Sequence, residues 1–270
     1  MTNTSPFETI LVETDDESGV TTITFNRPSV RNALSREMAE EIRSVLGTLK
    51  EDPSCRSLIF TGSGDRAFMS GADIAELKAR NHLHAFMRIN TTLFHEIETF
   101  PRPTIAAIRG YALGGGCELA MACDLRVATT TATLGQPEVS LGIIPAAGGC
   151  YRLPKLVGLG RAKELIYTGR LVPAPEAAQI GLVEFVVPED ELMTKARELA
   201  ESIASNSALA VHMAKVLLNG QNEMSTAVAL ALESTSQAVL YDDPEKHERM
   251  GAFLDKRAAR RRAKEKGESR

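Results

Sequence analysis

The chain of 270 residues has no tryptophan, and aromatic residues make up only 5% of it. That scarcity argues against the stacking platforms on which sugars and single-stranded nucleic acids are held. Four cysteines, at 55, 117, 123 and 150, form no Cys-x-x-Cys pair, so the spacing of a structural zinc site is absent. They read as small buried thiols of a reducing compartment, although Cys117 and Cys150 sit in glycine-rich segments. The five histidines contain no His-Glu-x-x-His arrangement, and no metal is expected. Neither a Gly-x-Gly-x-x-Gly fingerprint, nor a phosphate-binding Gly-x-x-x-x-Gly-Lys loop, nor a Gly-x-Ser-x-Gly elbow occurs. Dinucleotide binding, P-loop chemistry and a serine-hydrolase triad are therefore unsupported. No apolar run approaches the roughly eighteen residues a membrane span needs. The first residues, from Met1 to Glu8, show neither a basic nor an apolar signal region, so the expected location is the cytoplasm.

What is present is an ordinary 43% of hydrophobic residues and a net charge of −4. That length and composition support one large domain, or one domain with a smaller attachment. The charge is uneven: residues 256–270 carry eight Lys or Arg and two Glu, leaving a strongly acidic body. An acidic body disfavours nonspecific nucleic-acid binding, and the basic tail leaves only a small opening for it.

Along the chain, residues 8–13 and 20–25 read as a hairpin around a polar turn. Ser35 is a candidate N-cap for a helix reaching about Lys50, with Met38, Ile42, Val45, Leu46 and Leu49 on one face. Short strands are expected at Ser57–Phe60, Thr104–Ile108, Leu125–Ala128, Thr133–Leu134 and Leu182–Val187. Helix is expected from Ile74 to about Phe100 with a break near Asn81, after Gly116, from about Pro145, and over 161–167 and 175–180. Pro101 and Pro103 close the long helical stretch. The repeated strand-then-helix order points to an α/β core. From Glu189 on everything reads as helix, with a broad apolar stripe from Met224 to Val239. The expected division is a core over 1–200, a helical section over 201–256 and a basic, flexible tail over 257–270.

Two stretches carry the chemistry. Gly110, Gly114, Gly115 and Gly116 lead into Glu118, and Gly135-Gln136-Pro137 leads into Glu138. A glycine-rich bend opening a helix exposes unpaired N–H groups that stabilise negative charge. Two carboxylates near such a bend suit proton transfer beside a carbonyl. Read without function, Glu118 is a helix N-terminal carboxylate favoured by the dipole, and Glu138 is a turn residue after a proline.

These stretches belong to a longer ordered series: Asn26-Arg27-Pro28 with Asn32-Ala33-Leu34; Ala67 through Ile74; Gly110 through Ala120; Cys123-Asp124; Gly135 through Glu138; Leu141 through Pro145 with Gly148-Gly149; then Leu153 and Gly158–Ala162. Over roughly residues 8–256 the chain resembles the crotonase superfamily, and most of all its enoyl-CoA hydratases. The resemblance implies an α/β spiral of repeated β-β-α units with a helical C-terminal section, assembled as a homotrimer or a dimer of trimers. It implies a bent acyl-CoA whose thioester oxygen meets the N–H groups of Ala72 and Gly115. Glu118 would act as base toward water and Glu138 would deliver a proton to C2. Arg27, Pro28, Val30, Ser70, Ala72, Phe253 and Lys256 would contact CoA, and Leu77, Phe86 and Met87 would bound the acyl pocket. No cofactor is implied, since CoA is part of the substrate. The alternatives are double-bond isomerisation or another acyl-CoA reaction of the superfamily and, in a different class, an RNA-binding homologue. Two departures stand out: Ala75 replaces a lysine that helps many hydratases hold CoA phosphates, and Gln237 stands where some carry an aromatic.

Overall fold

The computed structural model describes residues 7–79, 81–221 and 223–267, without the side chains beyond residue 261. The first six residues and the last three of the basic tail lie outside the described residues. The chain divides into two compact units, Met1–Ser205 and Asn206–Arg270.

The first unit opens with the antiparallel pair β1 (Ile10–Asp15) and β2 (Val20–Phe25). Ser35 then caps α1 (Arg36–Glu51): its hydroxyl accepts from the Met38 N–H at 3.2 Å, satisfying one of the orphan donors of the first turn. Three turns of strand, strand, helix follow. The first holds β3 (Ser57–Gly62), β4 (Ala67–Met69), α2 (Ile74–Ala79), α3 (His82–Met87) and α4 (Ile89–Glu98). The second holds β5 (Thr104–Ile108), β6 (Tyr111–Leu113) and α5 (Gly115–Ala122). The third holds β7 (Leu125–Thr129), β8 (Thr133–Gly135), the short 3-10 turn Glu138–Leu141, α6 (Gly149–Val157) and α7 (Leu159–Thr168). Closing elements are β9 (Leu171–Pro173), α8 (Ala174–Gln179), β10 (Phe185–Val187) and α9 (Leu192–Ala204).

Each turn places its first strand in one sheet and its second in another. The larger sheet runs β1-β2-β3-β5-β7-β10 and the smaller β4-β6-β8-β9. In the larger sheet every pair after β1–β2 is parallel, and in the smaller β4, β6 and β8 are parallel. The larger sheet is covered on both faces, which is why its strands read as continuous apolar runs rather than alternating ones. Leu58 and Phe60 enter the main core with Phe25, Met38 and Phe68. Ile59, Ile105 and Val127 pack instead with Leu192, Ala196 and Ala200 of α9.

The second unit consists of α10 (Ala208–Gly220), α11 (Thr226–Tyr241) and α12 (Pro244–Gly267). Here α12 carries the chain through Lys256 into the basic segment, so that segment is helical as far as Gly267.

Several elements differ from the sequence expectation. Strands β4, β6 and β9 span three residues each, too few for an alternating pattern to register. The helical stretch after Ile74 breaks twice, at Asn81, whose side chain caps α3, and at Arg88, which adopts a left-handed conformation with φ 50°. The helix expected from Pro145 begins at Gly149, because residues 146–148 form a loop with its own task.

Candidate active site

The smaller sheet builds the site. Its strands β4, β6 and β8 lie side by side and parallel, so their C-terminal ends share one edge. Beyond β4 comes Ala72, beyond β6 come Gly115 and Glu118, and beyond β8 comes Glu138. All four line one cavity of ≈ 630 Å³. Ligand sites at the carboxyl ends of parallel strands are a general outcome of such sheets.

The loop carrying Ala72 is held from below. The buried Asn32 side chain donates to the carbonyls of Ser63 at 3.0 Å and Ala67 at 2.8 Å, and accepts from the Arg27 N–H. Arg27 in turn donates to the Ala33 carbonyl at 2.6 Å and pairs with Asp73 at 3.3 Å. Leu34 brackets Ala72: its N–H donates to the Gly71 carbonyl and its carbonyl accepts from Asp73. That pattern turns the N–H of Ala72 away from Leu34.

Gly115 is the first residue of α5, so its N–H has no partner one turn earlier. A methyl group built on Gly115 would lie 3.6 Å from the Ala72 nitrogen, which sets the two backbone segments side by side. Among the described residues, neither N–H donates a backbone hydrogen bond. Two such donors at a helix start can hold a negative oxygen. The close approach requires glycine at 116, where a Cβ would overlap the Met69 carbonyl oxygen. It also requires glycine at 114, whose φ of 51° is left-handed and where a Cβ would sit 3.0 Å from a Glu138 carboxylate oxygen.

The two carboxylates have different surroundings. Glu118 is 3% exposed. Its Oε1 accepts from the N–H groups of Ala147 and Gly149, each at 2.8 Å. Burial pushes its pKa up; those two N–H groups and the nearby Arg152 charge pull it back, without cancelling the rise. Glu138, 9% exposed, opens the 3-10 turn. Burial, and then the charge of Glu118, push it up to about 7. With the Gln136 amide turned so that its nitrogen faces Glu138, it donates to the two carboxylate oxygens at 3.0 and 3.1 Å. The two N–H donors thus favour the ionised form of Glu118, while burial and the neighbouring charge favour the protonated form of Glu138.

The loop at 146–149 is clamped by residues that sequence reasoning missed. Arg152, buried on α6, donates to the Ala147 carbonyl at 3.0 Å and pairs with Glu98 at 2.8 Å. Burial alone would raise Glu98, but hydrogen bonds from Arg152 and Tyr151 outweigh it and hold it below the usual carboxylate range. Thr91 donates to the Ala146 carbonyl at 3.1 Å. The only sequence signal was the double glycine at 148–149 with an arginine three residues on.

The family model described as enoyl-CoA hydratase/isomerase matches residues 15–262. The chain belongs to that family. It is 41% identical over 245 residues to a short-chain-enoyl-CoA hydratase of Clostridium acetobutylicum, covering 90% of this chain and 94% of the relative. It is 41% identical over 255 residues to a crotonyl-CoA hydratase of Syntrophomonas wolfei, covering 94% and 97%. The crystal structure of an enoyl-CoA hydratase from Bacillus anthracis superposes with a TM-score of 0.88 at 42% identity, covering 92% of this chain and 97% of that one. The crotonase-like α/β spiral expected from the sequence is thus the fold of an enoyl-CoA hydratase/isomerase family member.

Of the other expected residues, Ser70 and Leu77 line the cavity with the four above. Arg27 is engaged with Asp73 and Ala33, and Pro28 and Val30 form the short 3-10 turn beside it, off the cavity wall. Phe86 and Met87 are also off the wall. Leu83, Phe86 and Met87 form one stripe of α3 and are 61%, 79% and 53% exposed, while Asn81, His84, Ala85 and Arg88, the opposite stripe, face the cavity. The expectation followed hydrophobicity, and the helix is rotated against it. Phe253 and Lys256 lie on α12 of the second unit, both exposed. Three cysteines are buried as expected, but Cys150 is exposed. No helix among the described residues is long and apolar enough to cross a membrane.

Proposed function

We propose that the chain catalyses the reversible addition of water across the 2,3 double bond of a 2-enoyl-CoA, giving a 3-hydroxyacyl-CoA. The observation that carries this reading is the convergence of two buried carboxylates and two side-by-side N–H groups on one cavity. The names of its relatives support the same chemistry. In the forward direction Glu118 takes a proton from water as the water oxygen bonds to C3. The π electrons move onto the thioester oxygen, where the N–H groups of Ala72 and Gly115 meet the developing charge. The enolate then collapses as C2 takes the proton held by Glu138. The pair holds one proton before the reaction, two at the enolate and one after it, now on Glu118, so exchange between the carboxyls resets it. So drawn, the reaction needs no cofactor beyond the CoA of the substrate.

Glu118 suits the base because its two N–H donors favour the ionised form, and Glu138 suits the acid because its pKa of about 7 keeps a proton available. Arg27, Pro28, Val30 and Ser70 would shape the route of the CoA moiety, Arg27 by bracing the loop of Ala72. Phe253 and Lys256 would close over CoA from a neighbouring subunit, Lys256 as a point charge for phosphate. The exposed apolar residues of the second unit, among them Val228, Leu230, Val239 and Leu254, support a homotrimer or a dimer of trimers.

The test is loss of enoyl absorbance with but-2-enoyl-CoA, longer 2-enoyl-CoAs and 3-enoyl-CoAs. Glu118→Gln and Glu138→Gln should each lower kcat by about 10²-fold or more, with acyl-CoA binding far less affected. Normal turnover in either variant would exclude the assignment.

A further inference from the structure

The cavity is lined largely by apolar residues, among them Leu77, Ile89, Leu141 and Ile144, but one of its walls is polar. On α3 the apolar stripe of Leu83, Phe86 and Met87 is turned out of the cavity and the polar stripe of Asn81, His84 and Arg88 is turned into it. Spacings of three and four residues put each set on one face of the helix. His82 joins the polar lining at the start of the same helix. The lining side chains include two carboxylates, Glu118 and Glu138, and one permanent cation, Arg88. The carboxylates stand beyond β6 and β8 and the cation stands on α3.

Arg88 has no ion pair among the described residues. Its backbone is left-handed, φ 50° and ψ 33°, where α3 ends and α4 begins. That conformation disfavours a residue with a Cβ, and glycine or asparagine would adopt it more cheaply. The joint uses only the Arg88 backbone, whose N–H donates to the Ala85 carbonyl. Nothing in the turn calls for a guanidinium, and Arg88 is among the residues that line the cavity.

We infer that the preferred substrate is a 2-enoyl-CoA whose acyl chain ends in a carboxylate, with Arg88 as the partner of that carboxylate and His82, His84 and Asn81 as its polar surround. The inference rests on the hydratase reading above. A guanidinium meets a carboxylate with charge-assisted and often bidentate hydrogen bonds. A methyl-terminated chain offers the guanidinium no partner.

The experiment compares kcat/KM of the full chain for three thioesters: but-2-enoyl-CoA, its 4-carboxy derivative and its 4-carbamoyl derivative. The last two have nearly the same size and differ in charge. The carboxylate should be favoured over the amide by about tenfold or more at low salt, the effect of one charge-assisted contact in a partly open site. Arg88→Gln should bring that ratio toward one, and Arg88→Lys should keep much of it. The ratio is taken within each variant, so a general loss of activity or stability cancels. A ratio near one in the unaltered chain, with but-2-enoyl-CoA turned over, would overturn this inference and leave the hydratase reading standing. A ratio unchanged in Arg88→Gln would overturn it as well. Hydration of none of the three would remove the hydratase reading, and this inference with it.

Discussion

Replacing Glu138 by glutamine should make the protein less active and more stable, and the gain in stability should depend on pH. Burial and the charge of Glu118 lift this carboxyl from its ordinary 4.5 to about 7. Below pH 4.5 both folded and unfolded chains hold the proton, and the site costs nothing. Between 4.5 and 7 the unfolded chain releases the proton while the folded chain keeps it, so stability falls as pH rises. Above 7 the folded chain carries the full cost. Each tenfold change in proton affinity is worth about 1.4 kcal/mol, which gives roughly 3 kcal/mol at most, and about 2 kcal/mol after allowing for the part of the site open to solvent. An amide has no charge to lose. Glu138→Gln should therefore melt within a degree or so of the unaltered chain at pH 4.5 and about 4–8 °C above it at pH 8, taking the roughly 2–4 °C per kcal/mol of a chain this size. Calorimetric melts across pH 4.5–8.5 measure it. A shift of equal size at both ends would mean that the amide packs better, and a loss at both ends that Glu138 holds the fold together. Either result would refute the charge argument.

Arg152→Met should lower kcat by about tenfold with KM changed much less, because the loop that grips Glu118 loses its clamp, and should lower Tm by several degrees, since one partner of a mostly buried pair is removed. The acidic limb of its kcat–pH profile should move to higher pH, because Glu118 loses a nearby positive charge; an unmoved limb would reduce Arg152 to a packing role. Gly116→Ala should fail to accumulate or melt far lower, because its Cβ would overlap the Met69 carbonyl. Gly160→Ala, on α7 with open space around it, should instead be neutral or gain up to about 1 kcal/mol. Light scattering should find an assembly larger than a monomer, and Val228→Asp with Leu230→Asp should dissociate it; a monomeric unaltered chain would remove the oligomer proposal.

What could be read in advance divides along physical lines. The hairpin, the Ser35 cap and the buried face of α1 follow from local rules: the cap and the α1 face are as expected, and the first hairpin strand runs over 10–15 rather than 8–13. The long strands of the larger sheet were legible because burial on both faces makes them unbroken apolar runs. The three-residue strands β4, β6 and β9 were not, because their partners rather than their sequences define them: β6 exists by pairing with β4 on one side and β8 on the other. Glu118 and Glu138 were visible as glutamates after glycine-rich bends. The donors that distinguish them were not, since Ala147 and Gly149 reach Glu118 from 29 and 31 residues away. Phe86 and Met87, expected to bound the acyl pocket, do not line the cavity: hydrophobicity was taken to mark the lining, whereas the rotation of α3 turns its polar stripe inward.

The repeat itself accounts for why these particular groups meet. Adjacent strands in a sheet lie about 4.8 Å apart, and each turn of the spiral advances the smaller sheet by one strand. A group placed just past the second strand of one turn is therefore a strand spacing from its counterpart in the next. The first turn supplies a backbone N–H at Ala72, the second supplies an N–H at Gly115 with Glu118 one helical turn further on, and the third supplies Glu138. Two donors one strand apart can share one oxygen, and a carboxylate from the following strand can flank it. The side chains then need not be long, and all four positions are held by backbone rather than by flexible arms. Chemistry at this edge can be altered without touching the sheet, because only the residues beyond each strand change. The helices that follow β4 are free to vary the cavity wall that they line, which is where this chain carries its polar stripe.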